Sequence, residues 1–347
     1  MSKVELKQYV DPKGVPIREL PFGPTQLEHG YRALKRARLL DEKLVLLQRQ
    51  GKIGVYPLFR GQEAAQVGAA LALNPKVDWV VPSYRETAVV WTHGLPLDTM
   101  LLYWRLHAEG CRWPADLKAL PFAISIGTQL TQAVGLAKAG HHLGDGRVVL
   151  TCIGDGGTSE GDFHEALNFA SVMNAPVVFL VQNNGWAISV PSKRQYKVAH
   201  LSSRAQAYGI PGVTVDGNDL LAIWDTVSQA VERARAGEGP TLVEAVTYRV
   251  MPHTTSDDSK RYRDEQEVLP WLDRDPVERM RALMVNLNLW DDAKEHALQE
   301  AFDREITEAV RKIEAYPDSQ PYELVEHVYA EMTPDQRKEF VLLGGSL

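Results

Sequence analysis

Two oxygen-bearing side chains, each following a strand-like segment, could bind a cation together. Asp155 lies between two glycines directly after the apolar run 148–153, and Asn184 comes 29 positions later, after the run 177–181. One helix fits between these runs, so their carboxyl ends should meet at one edge of a parallel sheet, where ligands bind. Carboxylate and amide oxygens suit Mg²⁺, which often keeps phosphate oxygens in its shell. The pattern predicts Mg²⁺ holding a diphosphate, with the Trp186 carbonyl as a third ligand.

Each half of this pattern also has a simpler interpretation. Residues 154–157 could form a tight turn after the strand, and Asn183, Asn184 and Gly185 could form another, because Gly, Asp and Asn are common in turns. The first segment is not a dinucleotide fingerprint, since its sixth position is Ser159. An acidic side chain between the glycines would repel a diphosphate unless a cation lay between the carboxylate and the phosphates. The pairing at two strand ends favours the metal site.

Repeated strand–helix–strand units surround this pair. The first unit joins 148–153 to 177–181 through a helix over 162–173, and the second joins 213–215 to 242–248 through a helix over 219–236. Such units predict an α/β fold with a doubly wound parallel sheet flanked by helices. We expect an N-terminal arm over 1–24, a ligand-binding α/β domain over 25–264, and a helical extension over 265–347 packed on the same domain.

Composition narrows the classes of protein. The chain has 347 residues and a net charge of −7, which argues against general nucleic-acid binding. Its two cysteines are far apart in sequence, so no disulfide framework is expected. The N-terminus lacks an apolar signal core, and no apolar run reaches 18 residues, so neither export nor membrane insertion is expected. These features predict a cytoplasmic protein.

Longer motifs resemble one family, the α subunit of 2-oxo acid dehydrogenases, which belongs to the decarboxylating first component of pyruvate and branched-chain complexes. The matching segments are 154–162 (GDGGTSEGD), 182–189 (QNNGWAIS), 215–219 (VDGND) and 248–263. The resemblance covers about residue 25 to the end. It implies a thiamine-diphosphate-binding fold and oxidative decarboxylation of a 2-oxo acid with acyl transfer to a lipoyl group. The cofactors it implies are thiamine diphosphate and Mg²⁺.

The resemblance also implies roles for individual residues. Asp155, Asn184 and the Trp186 carbonyl would bind Mg²⁺, and His253 would be the catalytic histidine beside the diphosphate. The remaining cofactor-binding positions are Tyr84 and Arg85 at the diphosphate, the backbone of Ile124 and Ile126 at the aminopyrimidine ring, and Gly156 and Gly157, whose lack of a side chain lets the main chain approach the diphosphate.

Partners and substrate follow from the same resemblance. The glutamate that activates the cofactor is supplied by a separate β subunit, which implies an α₂β₂ heterotetramer with a shared site. A lipoyl-bearing acyltransferase would accept the acyl group. Segments 91–97 and 125–129 favour pyruvate, whereas 255–259 favours a branched-chain 2-oxo acid; an acetoin-cleaving enzyme and a non-catalytic scaffold are further alternatives. Pyruvate is the favoured substrate, and the intact site residues argue against the scaffold.

The chain departs from the family at one position. Some members carry a histidine where this chain has Pro57, which leaves the contribution of that loop open, and the adjacent Tyr56 could contact substrate. The segment 254–263 matches a loop that kinases modify in mitochondrial relatives. Here we interpret it as a mobile loop that is ordered by the cofactor rather than as a phosphorylation site.

Overall fold

A five-stranded parallel sheet forms the centre of the protein. The computed structural model describes residues 6–326 and 328–347. The strands are β1 (Trp79–Val81), β2 (Val149–Gly154), β3 (Val177–Asn183), β6 (Gly212–Asp216) and β7 (Thr241–Val246), with a short antiparallel hairpin of β4 (Trp186–Ala187) and β5 (Val190–Pro191). The order across the sheet is β1-β2-β3-β7-β6, and every neighbouring pair is parallel. The predicted fold class, a parallel sheet flanked by helices, is confirmed.

Twelve α-helices are described around this sheet. They are α1 (Pro24–Arg49), α2 (Glu63–Leu71), α3 (Thr87–His93), α4 (Leu97–Trp104), α5 (Thr128–Leu143), α6 (Gly161–Val172), α7 (Leu220–Arg235), α8 (Leu269–Leu272), α9 (Pro276–Asn286), α10 (Asp292–Glu314), α11 (Glu323–Glu326) and α12 (Pro334–Leu342). None of the helices in the described ranges is long and apolar enough to cross a membrane.

The apolar strands read from the sequence are buried on both faces. In β2, Leu150 and Cys152 pack with α1, α2 and α7, whereas Val149 and Ile153 pack on the opposite face with α5 and α6. This division follows from strand geometry, since successive side chains point to opposite faces. Covering a parallel sheet on both faces explains why its strands are continuously apolar rather than alternating.

The two helices and four strands whose limits were predicted lie within a few residues of those limits, but α3 and the β4–β5 hairpin were not predicted. Helix α3 follows the Tyr84–Glu86 segment so closely that the sequence gives no separate turn signal. The hairpin has only two residues in each strand, which is too short for an alternating pattern.

The N-terminal arm and helices α9 and α10 pack on the same core as the sheet. Val10 and Leu283 both belong to the larger apolar cluster. Asp219 caps the start of α7 through Leu221 N (3.0 Å) and accepts from Val10 N (2.9 Å). Arg279 contacts Asp219 at 3.3 Å and also donates to the Val10 carbonyl. One buried carboxylate therefore joins the arm, α7 and α9, while the predicted domain limits stay a prediction.

Replacing Asp219 with Ala should destabilise the protein by about 3 kcal/mol, because the change removes a helix cap and leaves the buried Arg279 with fewer partners. Urea unfolding measures the loss. Asp291→Ala is the matched control, since exposed Asp291 caps α10 through Lys294 N alone (2.8 Å) and should cost about 1 kcal/mol. Equal losses for the two variants would contradict the role given to Asp219.

Candidate active site

A cavity of about 640 Å³ opens at the carboxyl ends of β2 and β3. Nine of the ten residues predicted for the site line it, namely Tyr84, Arg85, Ile124, Ile126, Gly156, Gly157, Asn184, Trp186 and His253. The tenth, Asp155, is fully buried and is hydrogen-bonded to Asn184. The register pairs Gly154, the last residue of β2, with Gln182, one residue before the end of β3, so Asp155 and Asn184 leave the sheet within one residue of the same level. The cavity therefore brings together predicted site residues, from Tyr84 to His253, that are up to 169 positions apart in sequence (253 − 84 = 169).

Asp155 has the least satisfied side chain in this group. Its Oδ1 accepts from Asn184 N at 3.2 Å, whereas its Oδ2 is buried without a hydrogen-bond partner. Burial raises the pKa of Asp155 to about 6. A buried carboxylate oxygen without a partner is costly unless a proton or a cation satisfies it. The position therefore fits a hard cation that coordinates the free oxygen.

Asn184 connects this carboxylate to the turn that leads to Trp186. The Asn184 Oδ1 accepts from Trp186 N at 3.2 Å, and its Nδ2 donates to Gln62 Oε1 at 3.1 Å. This second bond fixes the amide so that its oxygen faces the Trp186 turn. No group of three His, Cys, Asp or Glu side chains in the described ranges could hold a metal, so a metal here would depend on amide and carbonyl oxygens.

The two glycines after Asp155 are required for packing. A Cβ on Gly156 would lie 2.4 Å from Ala187 Cβ, and one on Gly157 would lie 2.6 Å from Ile153 Cδ1. The sequence suggested that they leave room for a diphosphate. In the structure they also let the 156–159 turn pack against the β4–β5 hairpin and β2.

Three side chains from distant segments meet on the other side of the cavity. The Arg85 Nη2 lies 3.0 Å from His253 Nδ1, and its Nη1 donates to the His253 carbonyl at 3.1 Å and to the Leu58 carbonyl. Its guanidinium also lies 5.4 Å from the centre of the Tyr84 ring. Arg85 is only 6% exposed, so its charge is held inside the cavity wall, where a diphosphate could accept hydrogen bonds from it.

His253 is held in its neutral form by this environment. Burial, together with the positive charges of Arg85 and Arg249, lowers the pKa of His253 to about 4. Both guanidinium groups face Nδ1, Arg249 Nη1 at 3.4 Å. A guanidinium can only donate, so Nδ1 must act as acceptor and the ring proton is assigned to Nε2. The ring is thus prepared as a neutral hydrogen-bond donor.

Apolar residues form a further part of the cavity wall. Val55, Pro57 and Trp104 line it together with Ile124 and Ile126. Tyr56, the candidate substrate contact of the sequence analysis, is fully buried instead, with its hydroxyl donating to Asp41 at 2.8 Å. Its neighbours Val55 and Pro57 line the cavity.

Several residues of the site were not assigned from the sequence. Gln62 orients Asn184, and fully buried Arg249 contacts His253, the Ile188 carbonyl (2.7 Å) and Tyr262 (2.9 Å). Glu86 and Gln182 form a buried pair at 2.7 Å in the cavity wall. The sequence did offer a signal for Glu86 and Gln182, because each directly adjoins a predicted motif, Tyr84–Arg85 or Asn183–Asn184.

Comparisons with known proteins agree on one family. The family described as the dehydrogenase E1 component matches residues 31–322. A 3-methyl-2-oxobutanoate dehydrogenase subunit alpha of Mycobacterium tuberculosis is 43% identical, over 95% of this chain and 91% of the relative. Pyruvate dehydrogenase E1 component alpha subunits are 41% identical in Acholeplasma laidlawii (89% of this chain, 90% of the relative) and 38% identical in Staphylococcus aureus (98% and 92%).

The pKa of His253, measured by NMR from its imidazole signals, should lie far below 6.5. Because the folded-state value is depressed, the neutral ring contributes stability above pH 6.5 that is lost as the pH falls towards 4. His253→Gln should therefore lose less thermal stability than wild type between pH 7 and pH 5. A measured pKa near 6.5, with parallel stability profiles, would contradict this environment.

Proposed function

Because the chain belongs to the dehydrogenase E1 component family, as the α subunit of a thiamine-diphosphate-dependent 2-oxo acid dehydrogenase, we propose that its cavity holds the diphosphate end of the cofactor through Mg²⁺. Asp155, Asn184 and the Trp186 carbonyl are the proposed metal ligands. The observation that carries this proposal is the unpaired, buried Oδ2 of Asp155, which lies beside the amide of Asn184 at the ends of two parallel strands.

The groups on the cavity wall also suit the negative charge of a diphosphate. Arg85 offers a buried guanidinium, and Tyr84 packs against both Arg85 and the His253 ring, whose centroid is 6.0 Å away. Gly156 and Gly157 leave main-chain groups without side chains on the cavity wall. The Asp155 carboxylate alone would repel the negative diphosphate. The metal ion, the Arg85 guanidinium and the backbone N–H groups would together balance that negative charge.

The bound cofactor supplies the carbon nucleophile and electron sink for cleaving the bond to the carboxylate of the 2-oxo acid. The chain's own contribution begins with binding and orientation. We propose that His253, as a neutral donor, hydrogen-bonds an oxygen of the reacting molecule, while Arg249 and Arg85 keep its ring in one orientation. The backbone of Ile124 and Ile126 is proposed to meet the aminopyrimidine ring. The apolar wall excludes water from the reacting carbon.

The acid that activates the cofactor is proposed to come from a β subunit in an α₂β₂ assembly. Two glutamates line the cavity, but Glu86 is fully buried and paired with Gln182, and Glu160 is exposed at its edge. The rim carries three exposed apolar side chains, since Val55 is 52%, Ile124 62% and Ile188 57% exposed. A partner surface that covers this rim would complete the site and bury these side chains.

A second exposed surface supports the same assembly. Gly135 and Ala139 of α5 are exposed, which allows close helix approach, and Phe169 and Val172 of α6 are 49% and 78% exposed beside them. We propose that subunits pack here and that a lipoyl-bearing acyltransferase reaches the cavity from the open side. Both cysteines are free, which is consistent with the proposed cytoplasmic location.

The substrate is proposed to be an aliphatic 2-oxo acid, with pyruvate favoured over 3-methyl-2-oxobutanoate. Four apolar residues of the cavity wall offer contacts for an alkyl group but carry no charge for a polar group. These residues are Val55, Pro57, Trp104 and Ile124. The bulk of Trp104, held by ring contacts with Tyr56 and Phe122 at 5.2 and 5.6 Å, favours the smaller side chain. The comparisons include relatives with each substrate in their names at 43% and 41% identity, so identity does not separate the two acids.

Asp155→Ala should weaken binding of thiamine diphosphate in the presence of Mg²⁺ by about 100-fold or more, because it removes the only charged metal ligand. Isothermal titration calorimetry on the assembled enzyme measures this. Asp145→Asn is the control: Asp145 precedes the same strand at its other end, pairs with Arg147 at the surface, and should bind as wild type does. Full affinity in Asp155→Ala would make the metal assignment wrong.

The chain co-expressed with its β subunit should decarboxylate pyruvate with a higher kcat/KM than 3-methyl-2-oxobutanoate, measured with thiamine diphosphate, Mg²⁺ and an artificial electron acceptor. The isolated α chain should be inactive with both acids, because it lacks the activating glutamate. A reversed preference would reassign the substrate, and an α chain as active alone as in the assembly would refute the shared site.

A further inference from the structure

We propose that Thr255 is a positioning residue that connects the two walls of the active-site cavity, so that His253 and the substrate-facing Val55–Pro57 segment keep one separation. The inference rests on the proposed function of this cavity. Thr255 itself does not line the cavity, but its neighbour Thr254 and His253 both do.

The connection is a reciprocal pair of hydrogen bonds. Thr255 N donates to the Tyr56 carbonyl at 2.9 Å, and Tyr56 N donates to Thr255 Oγ1 at 3.1 Å. Only the second bond depends on the Thr255 side chain. The two residues are 199 positions apart, so the pair joins two loops that are distant in the sequence.

Each loop is anchored separately on its own side of this pair. The Tyr56 side chain is fixed by Asp41, whose Oδ1 also accepts from Phe59 N at 3.1 Å. On the other loop, Asp257 accepts from His253 N at 2.7 Å and from the Tyr262 hydroxyl at 2.5 Å. These bonds fix the conformation of each loop. The distance between the two loops is set by the contacts that join one loop to the other.

Arg85 provides a second connection between the same two loops, through the carbonyls of Leu58 and His253. The same guanidinium is the proposed ligand of the diphosphate, so its hydrogen bonds have to be shared with the cofactor. The Thr255–Tyr56 pair involves the protein chain alone. It therefore maintains the separation of the walls whatever Arg85 binds.

The test uses the assembled α and β subunits and compares Thr255→Val, Thr255→Ser and Ser256→Ala. Valine keeps the shape of threonine but not its hydroxyl, whereas serine keeps the hydroxyl. Ser256 is exposed on the same loop, and its hydroxyl reaches only Thr254 at 3.0 Å among the contacts of the described chain. Two readouts are measured: kcat and KM for decarboxylation, and the rate of tryptic cleavage after the exposed Lys260 and Arg261.

Thr255→Val should lower kcat/KM about 5-fold, as expected for one neutral hydrogen bond, and should raise the tryptic cleavage rate by a similar factor. Thr255→Ser and Ser256→Ala should match wild type in both readouts. Cleavage and kinetics of Thr255→Val equal to those of Ser256→Ala would overturn the proposal, as would a Thr255→Ser enzyme as impaired as Thr255→Val. A wild-type enzyme inactive on both 2-oxo acids would refute the proposed function instead, and the cleavage rates would still test the connection.

Discussion

The pairing of β2 with β3 is the constraint on which the site depends. Their parallel register sets Gly154 beside Gln182, so that Asp155 and Asn184 leave the sheet together and the main chain of one donates to the carboxylate of the other. A shift of one residue would turn Asp155 to the opposite face of the sheet. The register is secured by strands that are buried on both faces, so the apolar core fixes the geometry of the polar site.

Buried side chains of both charge signs lie around this edge of the sheet. Arg85 and Arg249 are both largely buried and lie close enough to His253 to keep its ring neutral, while Asp155 carries an oxygen without a partner. Unmatched groups of this kind cost stability, and they are common where a protein is prepared for a charged ligand. The cationic side and the acidic side of the cavity are therefore complementary to an anion bound through a cation.

Local patterns in the sequence predicted the parallel sheet and the pair Asp155 and Asn184, whereas the family resemblance implied the other site residues, such as Arg85 and His253. Continuous apolar runs predict buried strands, and Asp155 and Asn184 follow such runs directly. Residues whose roles depend on contacts across the fold were harder to assign. Tyr56 is buried because Asp41 on α1 accepts its hydroxyl, and no spacing in the sequence connects the two. Arg249 and Gln62 belong to recognisable motifs, but their contacts with His253 and Asn184 require the assembled fold.

The open rim of the cavity has a consequence for how the protein is made. Val55, Ile124 and Ile188 present apolar side chains to water at the mouth of the site, and Phe169 and Val172 do so on α6. If a β subunit covers them, an α chain synthesised in excess carries these surfaces into solution, where self-association competes with correct pairing. Balanced production of the two chains would then protect solubility as well as activity.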